Sequence, residues 1–324
     1  MMLIGPILLL LVLLGAPLFA IIAAGAFWNF YQAEIDLQAM AIEFYGIAEM
    51  PILLAIPLFT FAGYLLSESN APQRLVRLTS ALLGWMPAGL AIVSLVACAF
   101  FTAFTGASGV TIIALGAILF PAMQQAGYPE KFNLGLVTSA GSLGLLFAPS
   151  LPLILYGVVA EVPIENLFLA GLLPGFLMLL MLSAYSVWKN RAIRTPLGDF
   201  SWQEVRAALR ESMWEIPLPV VVLGGIYSGY FAISEAAAVT ALYVLIVDVV
   251  ILKEVTLRKL PAIIREAMNL VVGIMMILGV SRASTNYMID AGVPQQLLQS
   301  ISGCVTGEIA FMVKFQLFLL MLCA

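Results

Sequence analysis

FFTAFTGASGVT, residues 100–111, lies inside a stretch, 78–129, that holds no Asp, Glu, Lys, Arg or His. An uncharged run of that length belongs in lipid or inside a membrane protein. Its centre is nevertheless small and polar, with Thr102, Thr105, Gly106, Ser108, Gly109 and Thr111 close together. Glycine at 106 and 109 lets a helix break, and the freed carbonyls and hydroxyls then need partners. At membrane depth such backbone persists only where protein buries it or where it lines a water-filled cavity. The stretch therefore reads as a broken helix tip and a candidate ion or substrate site.

The rest of the chain agrees with a membrane setting. Of 324 residues 63% are hydrophobic and 10% charged, against about 25% charged in soluble domains. At roughly 20 apolar residues per crossing, the apolar segments make about seven to nine spans or re-entrant pieces. There is no histidine, which removes imidazole metal sites and histidine-based catalysis. With no G-x-S-x-G and no paired carboxylates at membrane depth, an intramembrane enzyme finds no support. Cys98, Cys304 and Cys323 lack the spacing of a disulfide framework or metal cluster. The first residues carry no basic n-region or A-x-A signal, so 3–27 reads as a retained first span.

Basic residues set the expected topology. Arg74 and Arg77, Lys131, the 189–210 segment and the Lys253–Arg265 segment fall in the cytoplasm by the positive-inside rule, leaving 29–49 and 161–165 outside. Residues 201–214, SWQEVRAALRESMW, space Trp202, Val205, Leu209 and Met213 as an amphipathic helix at the membrane surface. A weak internal echo accompanies this pattern. LLSESNAPQRL (65–75) and YMIDAGVPQQL (287–297) match at Glu68/Asp290, Pro72/Pro294, Gln73/Gln295 and Leu75/Leu297, a constant offset of 222. Charge places the two copies on opposite faces, as in an inverted repeat. The expected fold is an all-α integral membrane protein, a polytopic helical bundle with inverted repeats. Residues 1–198 form a first repeat, with a re-entrant hairpin at 88–124, a broken helix at 132–160 and a span at 167–188. Residues 199–215 form an amphipathic connector, and 216–324 a second repeat. The offset carries Gly106 just past Ala324, so that second repeat is expected to be incomplete.

Three segments offer chemistry. They are the Thr105–Gly109 break, Gly141-Ser142-Leu143-Gly144 leading into Ala148-Pro149-Ser150, and Gly224–Gly229 followed by Ser234 and Glu235. Any one of them is explained by close helix packing of small residues. Two helix breaks in successive segments do more, because facing breaks supply carbonyl and hydroxyl oxygens suited to a dehydrated monovalent cation. Arg282 is expected to snorkel to the interface, Glu235 to cap its helix, and Asp248 to face protein or the near interface.

At these residues the chain resembles the large membrane subunit of tripartite ATP-independent periplasmic (TRAP) transporters, the DctM-like family. The resemblance runs over nearly the whole chain and is clearest in AFFTAFTGASGVTIIALGAILFPAMQQAGYP (99–129), TSAGSLGLLFAPSLPLILYGVVAEVPIENLFLAGLLPGF (138–176) and LGGIYSGYFAISEAAAVTALYVL (223–245). It implies sodium-driven, elevator-type uptake of organic acids such as dicarboxylates or sialic acid across a bacterial or archaeal inner membrane. The implied partners are a small DctQ-like membrane subunit, a soluble DctP-like periplasmic binding protein and membrane lipid, with no nucleic acid. Sodium is the coupling ion and no other cofactor is implied. Carried over by position, the resemblance assigns sodium to Thr105, Gly106, Ser108, Gly141, Ser142 and Gly144, and substrate to Ser108, Pro149 and Ser150. The tip departs from the family's usual Ser-Gly-Ser-Ser, reading Thr-Gly-Ala-Ser at 105–108, and the usual Pro-Pro-Ser reads Ala148-Pro149-Ser150. Two other expectations stay beside this one: a different sodium-coupled carboxylate carrier of related architecture, and a truncated membrane scaffold that does not transport.

Overall fold

The computed structural model describes residues 4–191, 200–302 and 311–317, and among the described residues there is no strand. Two compact units divide the chain: Met50–Gly273, and Met1–Glu49 with Ile274–Ala324. Five helices are long and apolar enough to cross a membrane, Pro51–Glu68, Ser108–Gln125, Ile164–Lys189, Ile233–Ile251 and Leu260–Asp290. The pair Glu130–Leu146 and Leu151–Ala160, bent by 44° at a short break, is apolar enough only when taken together, as one broken span or a re-entrant piece. The protein is thus an all-α, polytopic membrane protein.

In the smaller unit, α1 (Ile4–Leu13) and α2 (Leu18–Gln32) replace the single span expected over 3–27. The break has a local cause. Gly15 adopts φ +78°, and Pro17 follows with no amide to donate. Phe30 of α2, Met40 of α3 (Gln38–Ala48) and Val280 and Ala283 of α14 (Leu260–Asp290) form the core here. Arg282 does not simply snorkel. Its Nε lies 3.3 Å from Glu43 Oε2, so an acidic partner on α3 holds the guanidinium that apolar surroundings would otherwise send to the interface.

The larger unit is organised around α6 (Gly89–Thr105), whose Ala91, Val93, Leu95, Ala97, Cys98 and Phe101 are at most 1% exposed. A helix apolar on every side must be surrounded, and α6 is packed by α4 (Ala55–Glu68), α5 (Ala71–Leu83), α7 (Ser108–Gln125), α8 (Glu130–Leu143) and α10 (Ile164–Lys189). Between α8 and α10 lies α9 (Leu151–Ala160). The outer face of α10 shows Leu169, Leu173, Leu177, Leu180 and Met181 to the surroundings, the composition of a lipid-facing wall. α11 (Trp202–Glu211) leads to α12 (Pro217–Tyr227) and α13 (Ile233–Leu245), and one helical stretch of wider pitch, Ile246–Ile251, extends α13. α12 runs through Gly224 and Gly225; the Gly225 surface receives the Phe231 ring and so serves packing, whereas the space around Gly224 is open. Glu235 Oε2 accepts the Ala232 amide at 3.0 Å, the cap expected of it.

One end of this unit gathers the segments that the charge pattern assigns to a single side. Arg74 of α5 pairs with Glu215 ahead of α12 (2.5 Å) and with Glu254 beyond α13, all three side chains at most 14% exposed. Arg77 pairs with Glu204 (2.9 Å) and Glu211 of α11. Burial pushes the Glu215 carboxyl above its ordinary range despite Arg74. Burial acts upward on Glu254 as well, yet hydrogen bonds from Arg74 and the Asn70 amide hold it below the usual carboxylate range. Asp248, on the Ile246–Ile251 turn, is 1% exposed and faces protein.

The sequence echo has a structural counterpart. α4 ends at Glu68 and α5 starts at Ala71; at the same offset α14 ends at Asp290 and α15 (Val293–Ser302) starts at Val293. The offset also carries Gln38, which opens α3, onto Leu260, which opens α14. In the first copy Pro51 and a 3₁₀ turn separate α3 from α4, whereas the second copy has Gly273 there and its helix is continuous.

Candidate functional site

α6 and α7, over residues 89–125, are antiparallel neighbours joined through Gly106 and Ala107 alone. The break sits at Gly106 and not at Gly109, which lies inside α7. Gly106 adopts φ +64°, a left-handed conformation that other residues rarely take, and a Cβ there would meet Leu151 Cγ at 2.5 Å. Leu151 opens α9, so the hairpin tip abuts the broken span at its break.

The break at 144–150 is built by Pro149 and Pro152, which cannot donate to the preceding turn. Ser150 is the N-terminal flanking residue of α9. Gly144 closes on Ala99 and Thr102 of α6, where any Cβ would strike the Ala99 carbonyl, and Gly141 closes on Ile112 and on the Ser108 carbonyl. On the opposite side Gly63 of α4 lies directly against Thr105. Small residues from four helices thus bring the tip and the break into contact.

What they enclose is oxygen. Thr102, Thr105 and Thr111 are each fully buried, with Thr102 Oγ1 donating to Thr111 Oγ1 at 2.8 Å and Thr105 Oγ1 3.1 Å from Thr111 Oγ1. The Ala107 carbonyl accepts from Thr111 at 3.4 Å and from Thr105 at 3.5 Å. Ser150 Oγ and Thr60 Oγ1 are buried without a hydrogen-bond partner among the described residues. Such groups cost roughly 1–3 kcal/mol each when left unsatisfied. The C-terminal ends of α6 and α8 and the N-terminal ends of α7 and α9 reach the same place, offering partial negative charge from one pair and partial positive charge from the other. An apolar recess of about 330 Å³ adjoins the break, lined by Phe100, Phe104, Phe147, Phe176, Leu223 and Tyr227 among others.

Of the residues singled out by sequence, Thr105, Gly106, Ser108, Gly141, Gly144, Pro149 and Ser150 come together at this junction. Ser142 does not join them. It is exposed, and its Oγ is 3.5 Å from the Thr138 carbonyl one turn back, because Gly141 and Gly144 take the face that meets α6 and α7. Thr102, Thr111 and Thr60 were not among the assigned ligands. The i, i+3 spacing of Thr102 and Thr105 carries that information for the first; nothing local marks Thr60, which lies one turn before Gly63 on α4.

Buried breaks facing each other inside a multi-span helical protein define the class of membrane proteins that handle ions or small solutes at mid-depth. The DctM component of the tripartite ATP-independent periplasmic transporters matches as a family over residues 6–324. Curated relatives agree with that match. The ectoine/5-hydroxyectoine TRAP transporter large permease protein of Ruegeria pomeroyi is 34% identical over 93% of this chain and 71% of its own length. The isethionate TRAP transporter permease protein DctMQ of Oleidesulfovibrio alaskensis is 33% identical over 95% and 47%. The C4-dicarboxylate large permease protein of Rhodobacter capsulatus is 32% identical over 83% and 64%. This chain belongs to the DctM family. It spans between about half and seven-tenths of the length of these relatives, which are named as permease proteins and not as enzymes.

Proposed function

We propose that the chain acts as the large permease subunit of a sodium-coupled, binding-protein-dependent transporter of organic acids. The observation that carries this is the buried set of hydroxyl and carbonyl oxygens where tip and break meet, Thr102, Thr105, Thr111 and the Ala107 carbonyl, with Ser150 next to Leu151 at the break and its Oγ without a hydrogen-bond partner among the described residues. Oxygen ligands without a carboxylate suit a monovalent ion that must be released again. In this reading Thr105, Thr111 and the Ala107 carbonyl hold sodium, with the carbonyl ends of α6 and α8 adding negative potential. Ser108, Pro149 and Ser150, at the N-termini of α7 and α9, face the carboxylate of the substrate.

Relatives named for C4-dicarboxylate, isethionate and ectoine transport support a small, carboxylate-like or sulfonate-like solute. The name DctMQ, on a relative of which this chain covers 47%, fits a small membrane subunit as partner. The periplasmic binding protein and the inner-membrane location follow from the family. Transport by an elevator movement of the hairpin and broken helix belongs to the same proposal.

The test is uptake in proteoliposomes that supply the small subunit and the binding protein. Uptake should follow an imposed sodium gradient and fail with potassium, and Thr105→Val should raise the sodium concentration for half-maximal uptake about 5- to 150-fold, the worth of one lost ligand at 1–3 kcal/mol. Uptake indifferent to sodium, or an unchanged requirement in Thr105→Val, would contradict the reading.

A further inference from the structure

α11 packs a narrow face, Val205 and Ala208, against α5. Arg77 fastens this contact by taking both Glu204 and Glu211. With its two carboxylates engaged, the helix leaves Arg206 and Arg210 exposed and, among the described residues, without an ion-pair partner. Arg206 shares a stripe with Trp202, Leu209 and Met213 at i, i+4, i+7 and i+11, and those three apolar side chains are 75%, 42% and 54% exposed. Phe200 extends the stripe, its ring 5.3 Å from Trp202 and 6.4 Å from Trp85.

Placement says what meets this face. The span α10 ends at Lys189 and the apolar α12 starts at Pro217, and α11, a few residues ahead of α12, lies near where the chain enters the bilayer. A surface helix that shows water neither a clean polar face nor paired charges is complementary to an interface with apolar depth and negative charge. Zwitterionic lipid would satisfy the apolar stripe but offer the two cations a phosphate already neutralised by its own headgroup cation, with no net negative charge.

We propose that α11 is a binding site for an anionic phospholipid. Arg206 and Arg210 engage the headgroup phosphate, while Trp202, Leu209 and Met213 lie among the upper acyl carbons. The site is separate from the oxygen-lined junction and does not depend on the transport reading.

Energy transfer from tryptophan to dansyl-labelled phosphatidylglycerol, added to the purified chain in neutral detergent, measures the affinity; labelled phosphatidylcholine is the second probe. The wild type should prefer phosphatidylglycerol and lose that preference at high salt. The double variant Arg206→Gln, Arg210→Gln should weaken phosphatidylglycerol binding about 30-fold, the effect of two cations near a charged lipid surface, and leave phosphatidylcholine binding unchanged. Arg206→Lys with Arg210→Lys should stay within a few-fold of wild type. Equal wild-type affinity for the two lipids, no salt dependence, or full phosphatidylglycerol affinity in the Gln variant would each overturn the proposal. So would competition by free glycerol phosphate at the same concentration as the lipid, since that would leave the apolar stripe no part in binding.

Discussion

Gly106 is the residue on which the junction turns, for two independent reasons. Its φ of +64° disfavours any side chain, and its Cβ position is already filled by Leu151 Cγ at 2.5 Å. Gly106→Ala should therefore lower the unfolding free energy by at least about 2 kcal/mol, read as a fall in the thermal midpoint in detergent, whereas Gly109→Ala, with open space around it, should change little or gain from better helix propensity. Equal effects of the two substitutions would contradict the placement of the break. Ser150→Ala separates folding from binding. The lost hydroxyl has no hydrogen-bond partner among the described residues, so the fold should be as stable as wild type or more so, while substrate-driven uptake falls; loss of stability would mean that the hydroxyl is already satisfied. Much of this scale was legible in the sequence, because Gly and Pro act locally: the tip and the break were placed from residue type alone. Ser142 was not, since which face of α8 meets the hairpin depends on neighbours that local sequence does not name. Arg282 likewise needed Glu43, far away in the chain, to be understood.

At the level of elements, α5 is the strut that joins α11, the start of α12 and the end of α13 through two arginines. Arg74 is the costly one to lose, because Glu215 and Glu254 would stay buried without a counter-charge. Arg74→Met should destabilise by about 3–5 kcal/mol, and Arg77→Met, whose partners are half-exposed, far less. The two carboxylates should differ in turn. Glu254, held below its ordinary range, contributes stability at neutral pH that is lost as the pH falls through its folded value. Glu215, pushed above its range, favours the neutral form, and its contribution rises as the pH falls. Glu254→Gln should thus lower the thermal midpoint at pH 7 and Glu215→Gln should barely move it; the reverse order would show that burial does not dominate at Glu215. The charge pattern alone had put these segments on one side. The pairing itself joins residues 127 to 180 positions apart and is invisible to any local reading. At 3–27 Gly15 and Pro17 were available as a break signal and the apolar composition outweighed them.

For the whole molecule, family membership and the all-α membrane fold rest on features spread along the entire chain, and both were readable from composition and from the order of the glycine- and proline-marked blocks. The repeat was readable only as four matches in eleven positions, yet the helix ends at Glu68 and Asp290 and the helix starts at Ala71 and Val293 keep the same offset. Topology is open to a direct check. Single cysteines replacing Glu34 and Arg258 in a cysteine-free background should label from opposite faces of intact cells, as the positive-inside pattern requires; labelling of both from outside would remove the inverted-repeat argument. The central claim is that the buried hydroxyl and carbonyl oxygens at the tip and break hold sodium. Equilibrium binding of radioactive sodium to the purified chain tests it most directly. The account predicts saturable binding that potassium does not displace, with affinity lowered about 5- to 150-fold in Thr105→Val. Absence of saturable binding in the folded wild type, or unchanged affinity in Thr105→Val, would contradict it.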